Sequence, residues 1–471
     1  SQVSVQRLAF MVFWVVVFTL AYAQAPLFTS NQNQYFLHGL AEAGYGNLSE
    51  DWLSNTLDPT PVFSWMIGLT YRLVTWTPIF YLYFGILAGV YLFSLLGIVE
   101  SIFEKGSTSI RRWGFLALIT VLQSAGLRYF FNSQLGVNWN YLFDGGAAGQ
   151  RLLGEVLQPS AFGVLLLLSI YLFLREKTWW AVVPLVLAPT IHPTYLLGAA
   201  ILTLIYMGLI YQQEKKLWAP IKFGAAALLG VMPILIYTFS VYRSTSAVAT
   251  TRARDILVNF RIPHHALPEV WFDVTSVIKI GFLLAALYLV RKHTKLFVIL
   301  AVPTVIGGIL TGAQMISGSH VLALLFPWRL SAFLIPVSVS VIAAWSVGRL
   351  NPMMARFPEG RVRLVLAVIA LGAAGAGIAK FNYAYQEKEN SPDQATLAYI
   401  ETHKSASEVY LIPLDWQNFR LETGAPAYVE FKSIPYQEED VLEWYRRVSQ
   451  TGKLYQATMK RQGCKALDGF Y

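Results

Sequence analysis

The sequence predicts an all-α polytopic membrane protein with a small α/β domain at its C-terminal end, and three observations carry that prediction. The chain of 471 residues is 55% hydrophobic and only 13% charged, whereas ordinary soluble domains are roughly a quarter charged. Its apolar residues fall in runs long enough to cross the hydrocarbon core of a bilayer. Beyond residue 379 the runs give way to short segments with cap and turn signals.

Taken in order, Leu8 to Gln24 is the first span. Arg7 before it and Ala21-Tyr22-Ala23 after it imitate a signal peptide, but the segment is retained in the chain and reads as a transmembrane helix. The loop 25–60 follows, rich in acids, amides and aromatic residues, and too aromatic to be disordered. Residues 61–75 are apolar but short and carry Arg72, which suits an interfacial or re-entrant helix. Spans are then expected at 78–99, 113–127, 160–174, 179–191, 193–211, 218–240, 274–290, 296–312, 330–348 and 362–379. With the first, that makes eleven, several of them short or broken by Pro, Gly or His.

Charge orients this layout. With the N-terminus in the cytoplasm, the inside connections hold fifteen basic residues, from Arg7 through Arg111, Arg112 and Lys215 to Arg363, against five acids. That is the asymmetry membrane topology requires. It places the loop 25–60 and the tail outside. Two domains follow: a transmembrane domain 1–379, which includes the outward first loop, and an outward α/β domain 380–471. In the latter, Ser391-Pro392-Asp393-Gln394 opens a helix to about His403, VYLIPL (409–414) and AYVEFK (427–432) read as strands, and 438–450 as an amphipathic helix with Val441, Leu442, Trp444 and Tyr445 mostly inward.

The net charge of +9 does not point to nucleic acid, because the basic residues lie between spans rather than on one face. A lone cysteine, Cys464, excludes an intrachain disulfide and a Cys-rich metal site.

Four outward features could carry chemistry. Glu50, Asp51 and Asp58 in the first loop could hold a divalent cation such as Mg or Mn, or supply a general base; equally, Asp51 and Asp58 could cap short helices. Asp144-Gly145-Gly146 suggests a tight turn where backbone approaches another surface closely. Arg151 beyond it could meet a phosphate or pair with Glu155 four residues on. His192, before Pro193 at a helix break, is either functional or satisfied by a backbone carbonyl that the proline frees. Arg329, beside Trp328 at the outer start of a span, suits a lipid phosphate or snorkels as an anchor, and Lys279 has the same two readings. Arg243, Arg252, Arg254 and Arg261 add outward positive charge that an anionic ligand would account for, while His264 and His265 read as polar surface.

This order of parts resembles the GT-C superfamily of membrane glycosyltransferases. More narrowly, DWLSNTLDPTPVFSW, GEVLQPSAFGVLLLLSIYLFLR, IHPTYLLGA, LLFPWRLSAFLIP and YLIPLDWQNFRLETGAPAYVEFKSIPY resemble an uncharacterised bacterial membrane-protein family frequent in cyanobacteria, which brings no established activity. The GT-C resemblance implies transfer of a sugar from a polyprenyl-phosphate-linked donor at the outer face of a bacterial inner membrane, with the N-terminus cytoplasmic and the C-terminal domain in the periplasm. Asp51 would then activate the acceptor or help to bind metal, and Arg329 would hold the donor phosphate. The alternative is a non-catalytic GT-C-like subunit that binds membrane lipids or a larger membrane complex. A transporter is disfavoured by the lack of an internal hydropathy repeat.

Overall fold

The computed structural model describes residues 2–103, 108–137, 139–244 and 246–459; Glu104, Lys105 and Cys464 lie outside the described residues. All eleven expected spans fold as helices. Among the described residues, seven helical stretches are long and apolar enough to cross a membrane, from Val5–Tyr22 to Glu359–Glu389, and Ser109–Leu122 with Ala125–Gln134 forms a further pair bent by 42°. Three shorter apolar helices, Pro159–Leu174, Thr178–Ile191 and Val274–Val290, complete the set. The protein is therefore a helical, membrane-embedded one. Pro184 and Pro189 sit inside Thr178–Ile191, a tolerated position where neighbouring helices re-satisfy the freed carbonyls.

The described chain divides into two compact units. The first comprises Ser1–Gln24, Phe80–Ile236 and Pro263–Ala384. In it, Ile79–Phe103 is largely buried, whereas Trp218–Val241 turns residues such as Leu229 and Ile236 outward, as a helix facing lipid does. Glu359–Glu389 packs so closely on Gln2–Tyr22 that a Cβ on Gly377 would overlap the Leu20 carbonyl, the small-residue approach that dispersion-driven packing in membranes favours.

The second unit gathers Ala25–Ile79, Tyr237–Ile262 and Tyr385–Tyr471, three stretches where the sequence suggests one boundary near 380. One core explains the grouping. Ala253 and Ile256 pack with Val429, Ile434, Val441, Trp444 and Val448, and Trp52 of the first loop lies against them. The Gln34 amide ties the first loop to the tail's backbone: its Nε2 donates to Ile434 O (2.8 Å) and its Oε1 accepts from Ile434 N–H (2.6 Å). The helix expected to open at Ser391 with Pro392 in its first turn starts later and runs Gln394–His403, and the amphipathic one runs Glu438–Met459 with Val441 and Trp444 buried. The α/β reading of this tail departs from what is seen. Segments 409–414 and 427–432 lie side by side, with Tyr428 N–H donating to Tyr410 O at 2.8 Å. They share only the parallel bridge Tyr410–Ala427, and there is no strand among the described residues. Pro413 and Pro426 lie within and just before these segments and lack the N–H a ladder needs.

Candidate functional site

In the second unit, the acids of the first loop divide sharply. Asp51 is fully buried. Its Oδ1 accepts from Leu53 N–H (2.8 Å), and its Oδ2 from Arg420 Nε (2.6 Å) and Ala427 N–H (2.8 Å). Arg420, equally buried, also donates through Nη2 to Ala427 O (3.0 Å), and its Nη1 lies 3.5 Å from Glu430 Oε1. Glu430 is itself held by the N–H groups of Lys432 (2.5 Å) and Ser433 (2.7 Å). The capping alternative for Asp51 is thus present, joined by an ion pair 369 residues away. Fully buried and already paired with Arg420, this carboxylate is open to neither an acceptor hydroxyl nor an external cation. The residues do not fit a divalent cation at Asp51, and no group of three or more His, Cys, Asp or Glu that could hold a metal occurs among the described residues.

Glu50 is exposed. Asp58 is half-buried; its Oδ1 accepts from Thr60 N–H (2.8 Å), and its other oxygen takes no hydrogen bond from the described residues. The Tyr237 hydroxyl donates to the Asp58 carbonyl (2.8 Å). Of the basic residues at 243–261, Arg243 and Arg252 are exposed, while Arg261 donates to Lys432 O (2.5 Å) and lies over the Phe431 ring. Arg261 therefore serves this core.

In the first unit, residues 144–151 form a turn held on every side. Gly146 N–H donates to Gln150 O (2.6 Å), Ala147 N–H to Ser331 Oγ (2.8 Å), and Lys279 Nζ to Gly146 O (2.8 Å); His265 Nδ1 meets Ala148 O at 2.6 Å. A Cβ on Gly146 would collide with Ser331 Oγ and come within 2.7 Å of Ala332 N, so the close approach read from the glycine pair is real. Two expectations are corrected. Lys279 does not snorkel, because it is buried and donates to the Gly146 carbonyl. His265 is half-buried rather than surface, and burial pushes its imidazole down to about 3.

Asp144 is buried and accepts from the Tyr22 hydroxyl at 2.7 Å. Burial raises its carboxyl above the usual range, against the pull of Arg128, Tyr22, Lys279 and Arg151. Arg128 donates to Gln123 O (2.8 Å) and to the Tyr22 carbonyl, and covers the Tyr22 and Tyr141 rings. Arg151 lies over the Tyr141 ring at 4.2 Å, and Glu155 pairs with Lys380. The i,i+4 pairing of Arg151 with Glu155 is thereby displaced: a partner 225 residues away takes the carboxylate. Four cations, Arg128, Arg151, Lys279 and Lys380, face two carboxyl groups here.

Arg329 lies among neutral partners in the same unit. Its Nη1 donates to Thr194 Oγ1 (2.5 Å) and faces His192 Nε2 at 3.0 Å. An arginine N–H can only donate, so Nε2 must accept and the His192 imidazole is neutral. The guanidinium also sits over the rings of Phe326 (5.5 Å) and Tyr195 (6.0 Å). Its Nε is buried without a hydrogen-bond partner, and no described carboxylate pairs with it. Phe326 itself has φ 49°, a left-handed conformation that costs a bulky residue of order 1–3 kcal/mol. Two crevices flank Arg329, one lined by Thr194, Gly198 and Phe333 and one by Gln150, His265 and Trp271, each of about 10 Å³. They have room for a water, so a larger ligand would reach the partly exposed side of the guanidinium.

Sequence reasoning missed Arg128, Arg420 and Glu430. Each had a signal: a charge set among Leu127, Tyr129 and Phe130, between Phe419 and Leu421, or between Val429 and Phe431 is dear to bury and so implies a partner.

With this geometry in view, a family model described as a domain of unknown function (DUF6798) matches residues 391–451. The match covers Arg420 and Glu430 but not Asp51. No curated protein and no solved structure matches the chain.

Proposed function

We propose that this chain is a non-catalytic, GT-C-like protein of a bacterial inner membrane that binds the phosphate of a polyprenyl-type lipid at the helix break carrying Arg329. One observation carries the reading. The Arg329 guanidinium is held by neutral groups alone, next to a strained Phe326, with an unpaired Nε. A planar cation so placed can offer a phosphate two parallel N–H donors. In this reading the three shorter apolar helices also cross, giving eleven spans, and the basic loops put the N-terminus in the cytoplasm and residues 391–451 outside.

The test is retention of polyprenyl phosphate by the purified full-length protein, followed by native mass spectrometry. Arg329→Gln should lower retention tenfold or more, equivalent to about 1.4 kcal/mol, and Arg329→Lys should restore part of it. Equal retention by wild type and Arg329→Gln would end the proposal.

A second reading, sugar transfer from the same lipid class, is favoured by Asp58, whose second oxygen is uncommitted and could take an acceptor proton. Asp58→Asn should then cut formation of the cellular glycan about 100-fold or more. An unchanged product level at normal protein abundance removes it.

A further inference from the structure

One cavity in the first unit has no part in the reading above. It measures about 730 Å³ and lies where Ile79–Phe103 ends, Ser109–Leu122 begins and Ser331–Met354 nears its C-terminus. By the charge pattern this is the cytoplasmic end of the bundle.

Arg111, Arg112 and Arg349 line it, and Glu100 is its one lining acid among the described residues. That acid is already shared: Arg112 Nε lies 2.5 Å from Oε1, and Arg175 Nη2 lies 3.5 Å from Oε2. Neither Arg111 nor Arg349 meets a carboxylate among the described residues. Arg111 Nε is buried with no hydrogen-bond acceptor, an arrangement that costs energy unless something supplies one. Arg349 lies over the Trp345 ring at 5.3 Å. Towards the bundle the wall turns apolar, through Leu96, Val99, Phe115 and Val347.

The geometry points to a binding site for an anionic phosphate ester, the headgroup of a glycerophospholipid such as phosphatidylglycerol, in this cavity. Arg111 and Arg349 supply the donors, Trp345 stands at interface depth, and the apolar wall receives the glycerol and the first methylenes. Topology alone asks for basic residues in the inside loops. It does not ask that three of them converge on one cavity and that two of those lack an acid.

The same chemistry would accept free phosphate, and the experiment separates the sources. The full chain is reconstituted into nanodiscs of phosphatidylglycerol or of phosphatidylcholine, released, and the retained lipids are counted by native mass spectrometry. In parallel, inorganic phosphate is titrated against the delipidated protein in detergent. Wild type should retain phosphatidylglycerol at least fivefold over phosphatidylcholine. Arg111→Gln/Arg349→Gln should abolish the preference, whereas Lys215→Gln/Lys216→Gln, with the same loss of charge in another inside loop, should keep it.

If the glutamine pair fails to fold, Arg111→Lys/Arg349→Lys retains charge but not the paired donors, and should weaken the preference without abolishing it. Phosphate binding that depends on Arg111 and Arg349, with no lipid preference, identifies the soluble ion as the ligand of the site. Equal retention of both lipids and no phosphate binding by folded wild type overturns the inference, as does an equal loss in the Lys215/Lys216 control.

Discussion

Arg420 and Arg329 are the same residue in opposite circumstances. Arg420, in the second unit, is buried against Asp51 and near Glu430, with each acid capped by further N–H groups. Arg329, in the first unit, is half-exposed among a histidine, a threonine and two aromatic rings. One cation has its charge matched inside the chain, and the other does not. A matched buried charge is a structural element, dear to break and indifferent to ligands. A cation left with neutral partners keeps its attraction for whatever anion arrives.

The comparison breaks first at Asp51. Asp51→Ala leaves Arg420 buried without its main counter-charge, and removing one partner of a buried pair typically costs about 3–5 kcal/mol. Asp51→Asn keeps the cap on Leu53, since Asn and Asp cap about equally well, and still leaves Arg420 with only Glu430 as a counter-charge. Both variants should loosen the tail's hold on the first loop, read as faster proteolysis within 391–451 and a lower thermal midpoint. A wild-type midpoint for Asp51→Ala would mean the triad is no keystone.

This contrast shows what a sequence can disclose. The helices were legible because a span announces itself through its own residues: twenty apolar positions in a row need no partner to be recognised. The turn at Gly145-Gly146 was legible for the same reason, because residues without a side chain signal a close approach of backbone. Asp51 was legible only as one of two alternatives, because what decides between them is Arg420, which no local pattern connects to it. Glu155 shows the same limit. Its nearest basic neighbour by helical spacing is Arg151, yet Lys380 takes it, since residues 151–158 form no helix that would align the pair.

A smaller effect is expected at Gly146, within the first unit. Gly146→Ala forces a methyl group onto Ser331 and the backbone at Ala332, and overpacking of this kind costs about 1–3 kcal/mol. The 144–151 turn should come away from Lys279 and Ser331, lowering the melting temperature while leaving the proteolysis of 391–451 unchanged. A melting temperature equal to wild type would show that the turn can yield without cost.

Smaller again is a pH effect at His265. Burial holds its imidazole neutral down to about 3, against an ordinary 6.5. A depressed folded-state value stabilises the fold above the unfolded value, and that contribution fades as pH falls from about 6.5 towards 3. With half-burial discounting the shift, roughly 1 kcal/mol should be gone by pH 5. His265→Gln keeps a donor for the Ala148 carbonyl and does not titrate. Its melting temperature should therefore fall less than wild type between pH 7 and 5, and parallel slopes for the two proteins would deny His265 the role.

The least destabilising change should be Arg329→Gln, and that small effect tests the comparison from its other side. Gln can still donate to Thr194 or His192, and no carboxylate is orphaned when the charge goes. The loss is then one hydrogen bond, about 1 kcal/mol or less, several-fold below the cost of Arg420→Gln, which strands Asp51 and Glu430. Measured side by side by urea or thermal unfolding, the two substitutions remove the same charge and insert the same amide. If Arg329→Gln proves as damaging as Arg420→Gln, then Arg329 is a structural cation whose anion lies elsewhere in the chain, and the lipid-phosphate assignment falls with it. If it leaves stability intact, the charge is held for a partner outside the chain.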